Sequence, residues 1–393
     1  MSGAVPPFAN HLPVRIRFGE GRASELRSVL SELGSTRVFV LVDEGIERFN
    51  PAVSELLGRL DNSEGLTVTR FAKPDGEPTI AMVDDTIAKL VSVGADAVTA
   101  IGGGSVIDTA KAARLCADQG CSFTEFLASE HRFPEPSIPL IALPTTAGTG
   151  SEVSEGAVVS DPHAGRKAGI AHPNLRAQVA VVDPLLTHSM PSSMTAYTGI
   201  DALAQAIAGM VAKVRTPIAD AIALEAIRMM GRSLLPAYRD GGDSAARAEM
   251  SCASMMAGLT MNLSDCTAEH SLGQAIGGLC HVPHGLTVGL VLVETLERER
   301  RYVPEQLERV ADAVGVPDNG ARDGSRTVGF LRELVAALDF PVLSSLGITD
   351  ADVDRLTDAA LGDFFITVAP QPWSRDEVRG AFLSALRLTS RGV

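Results

Sequence analysis

The sequence predicts a parallel α/β domain over residues 1–190, followed by an all-helical domain over residues 191–393. In the first half, short β-branched runs alternate with helical patterns, which is typical of a parallel sheet covered by helices on both faces. From about Ser192 the chain is rich in Ala, Leu and Met at helical spacing, and strand patterns almost vanish. A length of 393 residues also favours two domains over one.

In the first domain, buried strands are predicted at residues 37–43, 97–104 and 137–146, and helices at 78–94 and 105–120. In the second domain every predicted element is a helix. These helices are expected at residues 193–213, 217–232, 244–262, 266–280, 304–314, 325–338, 349–362 and 374–390. Pro184 and Pro191 interrupt the pattern between the two parts, so the boundary is placed near residues 181–193.

Composition and simple sequence patterns argue against several classes of partner, site and location. The net charge of −14 argues against binding to nucleic acid or to an anionic membrane surface. The five cysteines are odd in number and form no CxxC pair, which argues against a disulfide framework or a thiolate zinc site. No signal-peptide pattern opens the chain, and no apolar run reaches the roughly 20 residues of a membrane span. We therefore expect a cytoplasmic protein.

A glycine-rich turn follows the second predicted strand, in AIGGGSVIDTAKA at residues 100–112. Gly102, Gly103 and Gly104 allow close approach of a ligand to the backbone, and Ser105 and the next helix N-terminus offer donors to an anion. A pyrophosphate suits this arrangement, although the GxGxxG fingerprint is absent. The alternative is a tight strand–helix turn that binds nothing.

A second cluster of glycines and hydroxyls follows the third strand, in LPTTAGTGSEVSEGAVVSD at residues 143–161. Such a loop at the carboxyl end of a parallel strand suits ribose and phosphate contacts. The candidate side chains are Thr145, Thr146, Thr149, Ser151 and Ser154. A solvated polar loop is the alternative.

Asp43 ends the first predicted strand. A carboxylate there can accept hydrogen bonds from an adenosine ribose and would repel a 2′-phosphate, which favours NAD over NADP. Asp43 could equally be a plain helix N-cap.

The helical domain carries polar side chains on otherwise apolar helices. Asp201 and Gln205 are one turn apart in GIDALAQAIAG, and the segment AEHSLGQAIGGLCHVPHG at 268–285 adds more. That segment contributes His270, Gln274, His281 and His284. A carboxylate with several imidazoles is a candidate divalent-metal site. The alternative is core histidines with ordinary hydrogen-bond partners.

Four stretches together resemble the iron-containing, or group III, alcohol dehydrogenases: GGGSVIDTAKA, LPTTAGTGSEV, GIDALAQAIAG and EHSLGQAIGGLCHVPHG. The resemblance covers nearly the whole chain. It implies a dehydroquinate synthase-like architecture, with an α/β dinucleotide-binding domain, a helical domain and an active site in the cleft between them. It also implies hydride transfer between NAD and a small alcohol or carbonyl substrate, and a homodimer or larger homo-oligomer. Asp108, within GGGSVIDTAKA, joins the expected cofactor-binding residues.

The family usually holds its metal with one Asp and three His. Asp201, His270 and His284 match three of these positions, and Gln205 replaces the fourth ligand. Gln274 occupies another position where the family often has histidine. Three hypotheses follow: Fe²⁺ or Zn²⁺ held by Asp201, Gln205, His270 and His284; a site that recruits His281; or a metal-free site.

The metal-free hypothesis resembles the maleylacetate reductases, close relatives that act on a keto acid without a metal. There His270, His281 or His284 would donate the proton to the developing alkoxide. Lys167 matches a basic position that the family often shows, and it could bind an anionic substrate group or be a surface lysine. Two further alternatives are a dehydroquinate-synthase-like lyase and an inactive NAD-binding regulatory protein.

Overall fold

The computed structural model describes residues 8–129, 132–161 and 166–388. The chain forms two compact units, one spanning His11–Met190 and the other containing the chain from Pro191 onward. None of the helices in the described ranges has the length and apolar character needed to cross a membrane.

The first unit is an α/β unit. Its strands are β1 (Arg15–Phe18), β2 (Arg37–Asp43), β3 (Thr67–Lys73), β4 (Ala97–Gly102), β5 (Leu140–Pro144), β6 (Gly156–Asp161), β7 (Arg166–Ala171) and β8 (Val179–Val182). Its helices are α1 (Leu26–Glu32), α2 (Glu44–Phe49), α3 (Pro51–Asp61), α4 (Ile80–Ser92), α5 (Gly104–Gln119) and α6 (Phe123–Ala128).

The main sheet has the order β1-β8-β5-β4-β2-β3, and every neighbouring pair is parallel. Strand β6 pairs with β7 in a separate antiparallel ribbon. Alternate residues of β2 enter two different cores: Val38, Val40 and Val42 pack with α1 and α3, whereas Phe39 and Leu41 pack with α4 and α5. Helices therefore cover both faces of the sheet, which confirms the predicted fold class.

The three predicted strands correspond to β2, β4 and β5, and the structure adds β1, β3 and β8 to the same sheet. Strand β4 ends at Gly102 and α5 begins at Gly104. The predicted strand at 97–104 was therefore two residues too long, because it included Gly103 and Gly104. The reason is that Gly103 already caps the helix.

The second unit is helical throughout its described residues. Its α-helices are α7 (Ser192–Val211), α8 (Pro217–Arg239), α9 (Ser244–Ser264), α10 (Ala268–Cys280), α11 (His284–Glu299), α12 (Pro304–Ala313), α13 (Ser325–Ala337), α14 (Val353–Leu361) and α15 (Arg375–Arg387). Eight of these match the predicted helices. Helix α11 was not predicted, because its β-branched run and two glycines give a weak helical pattern that burial overrides.

Candidate cofactor and metal sites

The carboxyl ends of β2 and β4 lie side by side in the sheet. Along the chain, β3 is added on one side of β2 and β4 on the other side, and β5 and β8 then continue beyond β4. The direction in which strands are added therefore reverses between β2 and β4. Ligands of open parallel sheets bind at such a reversal, next to the carboxyl ends of the strands. Asp43 ends β2, and Gly102 ends β4 opposite Pro144 of β5. The fold therefore places the glycine-rich turn and the hydroxyl-rich loop at one edge of the sheet.

The glycine-rich turn packs directly on the hydroxyl-rich loop. A Cβ atom added to Gly103 would lie 3.2 Å from Thr146 Cγ2, and one added to Gly104 would lie 2.7 Å from Thr149 Cγ2. The amide of Thr145 donates to the carbonyl of Gly102 at 3.0 Å. The predicted cofactor-binding residues of these two segments therefore share one surface, at which side chains larger than glycine would not fit without displacement.

A buried lysine joins the same two segments from beneath. Lys111 of α5 is fully buried, and its Nζ donates to Ser151 Oγ at 3.0 Å, Ser154 Oγ at 3.1 Å and the Gly156 carbonyl at 2.7 Å. Burial lowers the pKa of Lys111 to about 8, so the side chain is still charged at pH 7. Its contacts fix the loop that follows β5 against the helix that follows the glycines.

Asp108 completes this buried network one turn earlier on α5. Its carboxylate accepts hydrogen bonds from Ser151 Oγ at 2.5 Å and from the Val158 amide at 3.0 Å, and it lies 3.7 Å from Lys111 Nζ. Asp108 was expected among the cofactor-binding residues. These contacts show that it holds the loop, and a contact with the cofactor stays a prediction.

Replacing Lys111 with Met is expected to weaken NAD binding roughly tenfold and to lower the free energy of unfolding by about 3 kcal/mol, as breaking a buried ion pair does. Met keeps the unbranched apolar part of the side chain but lacks the ammonium group and its three donated hydrogen bonds, so the loop is no longer held. NAD titration by nucleotide fluorescence and urea denaturation measure the two effects. Unchanged NAD affinity in a folded variant would contradict this role.

Asp43 caps α2. Its Oδ1 accepts hydrogen bonds from the amides of Gly45 at 3.0 Å and Ile46 at 3.2 Å. Burial raises the pKa of the Asp43 carboxyl and the Ile46 amide opposes this, while the nearby Asp75 carboxylate adds to the increase. The N-cap is thus present, and the ribose contact remains a prediction about the same side chain.

Lys167 lies on β7 and forms an ion pair with Glu77. Its Nζ is 2.6 Å from Glu77 Oε1, and only 11% of the side chain is exposed. Glu77 also accepts a hydrogen bond from Ser160 Oγ at 3.1 Å. Lys167 is therefore a half-buried, paired lysine rather than a fully exposed one.

Small residues allow α7 to pack closely within the helical unit and so to bury a carboxylate. A Cβ added to Gly199 would lie 2.2 Å from Leu234 Cδ1 of α8, and one added to Gly209 would lie 2.1 Å from Thr260 Cγ2 of α9. At the start of α11, a Cβ added to Gly285 would lie 2.2 Å from the carbonyl oxygen of Tyr197. These contacts leave Asp201 only 2% exposed.

Asp201, His270 and His284 come together from three helices. Asp201 Oδ1 lies 3.6 Å from His270 Nε2 and 3.8 Å from His284 Nε2. One ligand atom from each of the three residues lies within 4.8 Å of the other two. Ligand atoms bound about 2.1 Å from a tetrahedral ion are about 3.4 Å apart, so the observed spacing suits a divalent metal.

Gln205 lies beside this cluster, one turn after Asp201. Its Nε2 donates to Asp201 Oδ2 at 3.3 Å, and the side chain is buried. In the described part of the chain, Gln205 Oε1 is buried without a hydrogen-bond partner. A buried amide oxygen in this situation is costly unless something binds it, and a cation would do so. The donor set therefore fits a metal ion despite the missing imidazole.

Glu269 contacts His270 on the other side of the ring. The distance from His270 Nδ1 to Glu269 Oε1 is 2.9 Å. Burial lowers the pKa of His270, but the adjacent Cys266 and Glu269 side chains raise it well above its usual range. The two ring nitrogens of His270 therefore face acidic groups, Glu269 at Nδ1 and Asp201 at Nε2.

Two other candidates, His281 and Gln274, are not among the three clustered ligand residues. His281 is exposed and ends α10 in the left-handed conformation, with φ of 53°. Gln274 is half-buried on α10. The sequence interpretation missed Lys111 and Glu269, although both stand inside quoted motifs. Their positions near Asp108 and His270 in the sequence were the available signal. Their structural roles depend on burial, which cannot be read from the sequence.

Comparison with known proteins agrees with this geometry. A family model described as iron-containing alcohol dehydrogenase matches residues 13–184, and one for the C-terminal region of that family matches residues 195–386. The chain is 35% identical over 368 residues to "Probable alcohol dehydrogenase EutG" of Escherichia coli strain K12. This alignment covers 93% of this chain and 92% of the relative.

Two solved structures extend the comparison. A 1,3-propanediol oxidoreductase matches with a TM-score of 0.92 and 27% identity, covering 97% of this chain and 100% of its own. A sulfoacetaldehyde reductase from Bifidobacterium kashiwanohense, in complex with NAD⁺, matches with a TM-score of 0.89 and 27% identity, covering 98% and 100%. Nothing in these similarities favours the metal-independent alternative.

The two family models together cover most of both units, and the relatives span almost the whole chain. The family uses NAD and a divalent metal, and the Asp201, His270 and His284 cluster is placed to hold such an ion. The chain therefore belongs to the iron-containing alcohol dehydrogenase family and is an NAD-dependent oxidoreductase of alcohols and aldehydes.

Proposed function

We propose that this enzyme uses a divalent metal, Fe²⁺ or Zn²⁺, held by Asp201, Gln205, His270 and His284. The observation that carries the proposal is the spacing of the three ligand atoms from Asp201, His270 and His284, all within 4.8 Å of one another. The buried Gln205 Oε1 supplies the fourth donor. A metal bound there would act as a Lewis acid on the substrate oxygen.

The α/β unit is proposed to bind NAD through the glycine-rich turn and the loop after β5. The backbone of residues 102–105 offers amide donors to the pyrophosphate, and Thr145, Thr146 and Thr149 offer hydroxyls to ribose and phosphate. The Ser151 hydroxyl, which was expected to do the same, is already engaged by Asp108 and Lys111, so Ser151 is proposed to hold the loop in place. Asp43 accepts from the adenosine ribose and disfavours a 2′-phosphate. The burial of Lys111 beneath both segments supports their action as one preformed surface.

Lys167 and His281 keep their proposed roles as an anion contact and a proton donor. An anionic substrate group reaching Lys167 would compete with Glu77 for the ammonium group. His281 is exposed, so its ring is accessible to solvent. We further propose a cytoplasmic location, which the five free cysteines support, and a homo-oligomer, which light scattering would test.

The direct test of the proposed function is NADH oxidation against a panel of aldehydes and keto acids, with and without a chelator. Turnover with aldehydes that is lost on chelation and restored by Fe²⁺ or Zn²⁺ is the expected result. Turnover of a keto acid that survives complete metal removal would instead favour a maleylacetate reductase-like reaction. No turnover with any carbonyl, despite NAD binding, would favour a regulatory protein.

Replacing Gln205 with His is expected to tighten Zn²⁺ binding at least tenfold, because imidazole is a better zinc ligand than an amide oxygen. Replacing Gln205 with Leu should weaken binding, since it removes the fourth donor while remaining compatible with a buried helix. Competition with a chromophoric chelator measures both. Equal affinities for Zn²⁺ in the wild type and the Leu variant would contradict a ligand role for Gln205.

A further inference from the structure

Glu269 is a buried carboxylate that directly precedes a proposed metal ligand. It is 1% exposed, and its Oε1 lies 2.9 Å from His270 Nδ1. The opposite ring nitrogen, His270 Nε2, faces Asp201 Oδ1 at 3.6 Å. The imidazole of His270 is thus placed between two carboxylates, with only the Nε2 side directed at the cluster.

Its surroundings hold the Glu269 carboxylate in place. The Thr267 amide donates to Glu269 Oε1 at 3.1 Å, and the Thr267 hydroxyl donates to Oε2. Glu269 also stands in the first turn of α10, where the helix dipole favours a negative charge. Both carboxylate oxygens are therefore engaged, and the side chain cannot rotate away without losing these contacts.

We propose that Glu269 is a positioning residue for the metal site, resting on the proposed metal-dependent function. Its carboxylate accepts a hydrogen bond from the Nδ1–H of His270. This fixes the tautomer whose Nε2 lone pair points at the metal position. A carboxylate in this place also orients the ring and makes the imidazole a stronger ligand. Glu269 contacts neither the metal position nor the reacting atoms, so it acts through His270.

This contact has particular weight in a site that contains Gln205. With an amide in the fourth position, two imidazoles and one carboxylate must provide most of the binding. A carboxylate behind His270 increases the donor strength of one of those imidazoles. The Glu269–His270 pair thus offsets part of what the Gln205 amide lacks as a ligand.

The test uses the whole apoprotein and Zn²⁺ alone. Glu269→Gln keeps the volume and one acceptor oxygen but removes the charge, and it is expected to weaken Zn²⁺ binding 10- to 100-fold, the usual cost of losing such a partner. Affinity is measured by competition with a chromophoric chelator, and thermal unfolding confirms that the variant is folded. Unchanged Zn²⁺ affinity in a folded variant would overturn the proposal.

Glu299→Gln is the matched control. Glu299 is another fully buried glutamate of the helical unit, and it accepts a hydrogen bond from Trp373 Nε1 at 2.8 Å. Burial raises the pKa of Glu299 to about 8, against the opposing effects of the Trp373 hydrogen bond and of Arg298. Its Zn²⁺ affinity should equal that of the wild type. An equal loss in both variants would mean that buried glutamates act through stability alone, which would overturn the proposal.

A second readout separates positioning from folding. In the Co²⁺-loaded protein, Glu269→Gln should change the visible ligand-field absorption bands, whereas Glu299→Gln should leave them as in the wild type. If the proposed metal site itself does not exist, the wild type will not bind stoichiometric Zn²⁺. That result is distinguishable from a wrong role for Glu269. If the wild type binds Zn²⁺ and the Glu269→Gln spectrum and affinity are both unchanged, only the role of Glu269 is wrong.

Discussion

Replacing Asp201 with Asn is expected to abolish stoichiometric metal binding and to lower kcat/KM at least a thousandfold, equivalent to about 4 kcal/mol of transition-state stabilisation. Asp201 is the charged oxygen donor of the proposed set, and it lies between His270 and His284. Asn has the same volume and still accepts a hydrogen bond from Gln205, so the loss would come from charge. Metal analysis and steady-state kinetics measure the two effects.

The matched control for this variant is Asp220→Asn. Asp220 is also a buried aspartate of the helical unit, but it pairs with Arg215 and Arg309 rather than with the histidines. It should retain metal even if it loses some stability. Full metal occupancy of the Asp201→Asn protein would contradict its assignment as a ligand.

Replacing Gly285 with Ala should have the largest effect on stability, lowering the free energy of unfolding by about 3 kcal/mol or more. The new Cβ would lie 2.2 Å from the carbonyl oxygen of Tyr197 and 3.1 Å from Asp201 Cβ. Because α11 begins at His284, moving it away from α7 would also separate His284 from Asp201. Urea denaturation and metal content together measure this outcome.

Gly278→Ala on α10 is the comparison for that variant. A Cβ added to Gly278 meets nothing within 4 Å, so alanine there should be neutral or should stabilise the protein by about 0.5–1 kcal/mol. A Gly285→Ala protein with the stability and metal content of Gly278→Ala would show that the contact between α7 and α11 is not needed to form the site.

Much of the fold could be predicted from the sequence, because its patterns are local. Strands β2, β4 and β5 are continuous apolar runs, and helices such as α7 show small and apolar residues at helical spacing. Strands β1 and β3 are short or only partly buried and show no such run. Helix α11 is stabilised by burial among its neighbours, a property that its β-branched sequence does not display.

The candidate site was predictable only in part, for a similar reason. Spacing made Asp201, His270 and His284 candidates for a metal site, and the family resemblance selected them as ligands. The structure shows that three helices bring these residues together. Glu269 and Lys111 are charged residues whose importance comes from complete burial and from partners distant in sequence, such as Ser151 and Ser154. Spacing alone did not separate His281 from the neighbouring histidines, but its position at the end of α10 leaves it exposed.

The most direct test of a metal-dependent enzyme with an amide ligand is the metal content per chain of the protein purified without chelator. Turnover should be measured on the same sample before chelation, after it and after metal is restored. We predict one Fe²⁺ or Zn²⁺ per chain, with activity that falls on chelation and returns with the metal. Less than a tenth of an equivalent of metal, together with full chelator-resistant turnover, would contradict the account and make the buried Asp201–His270–His284 cluster a metal-free acid–base site.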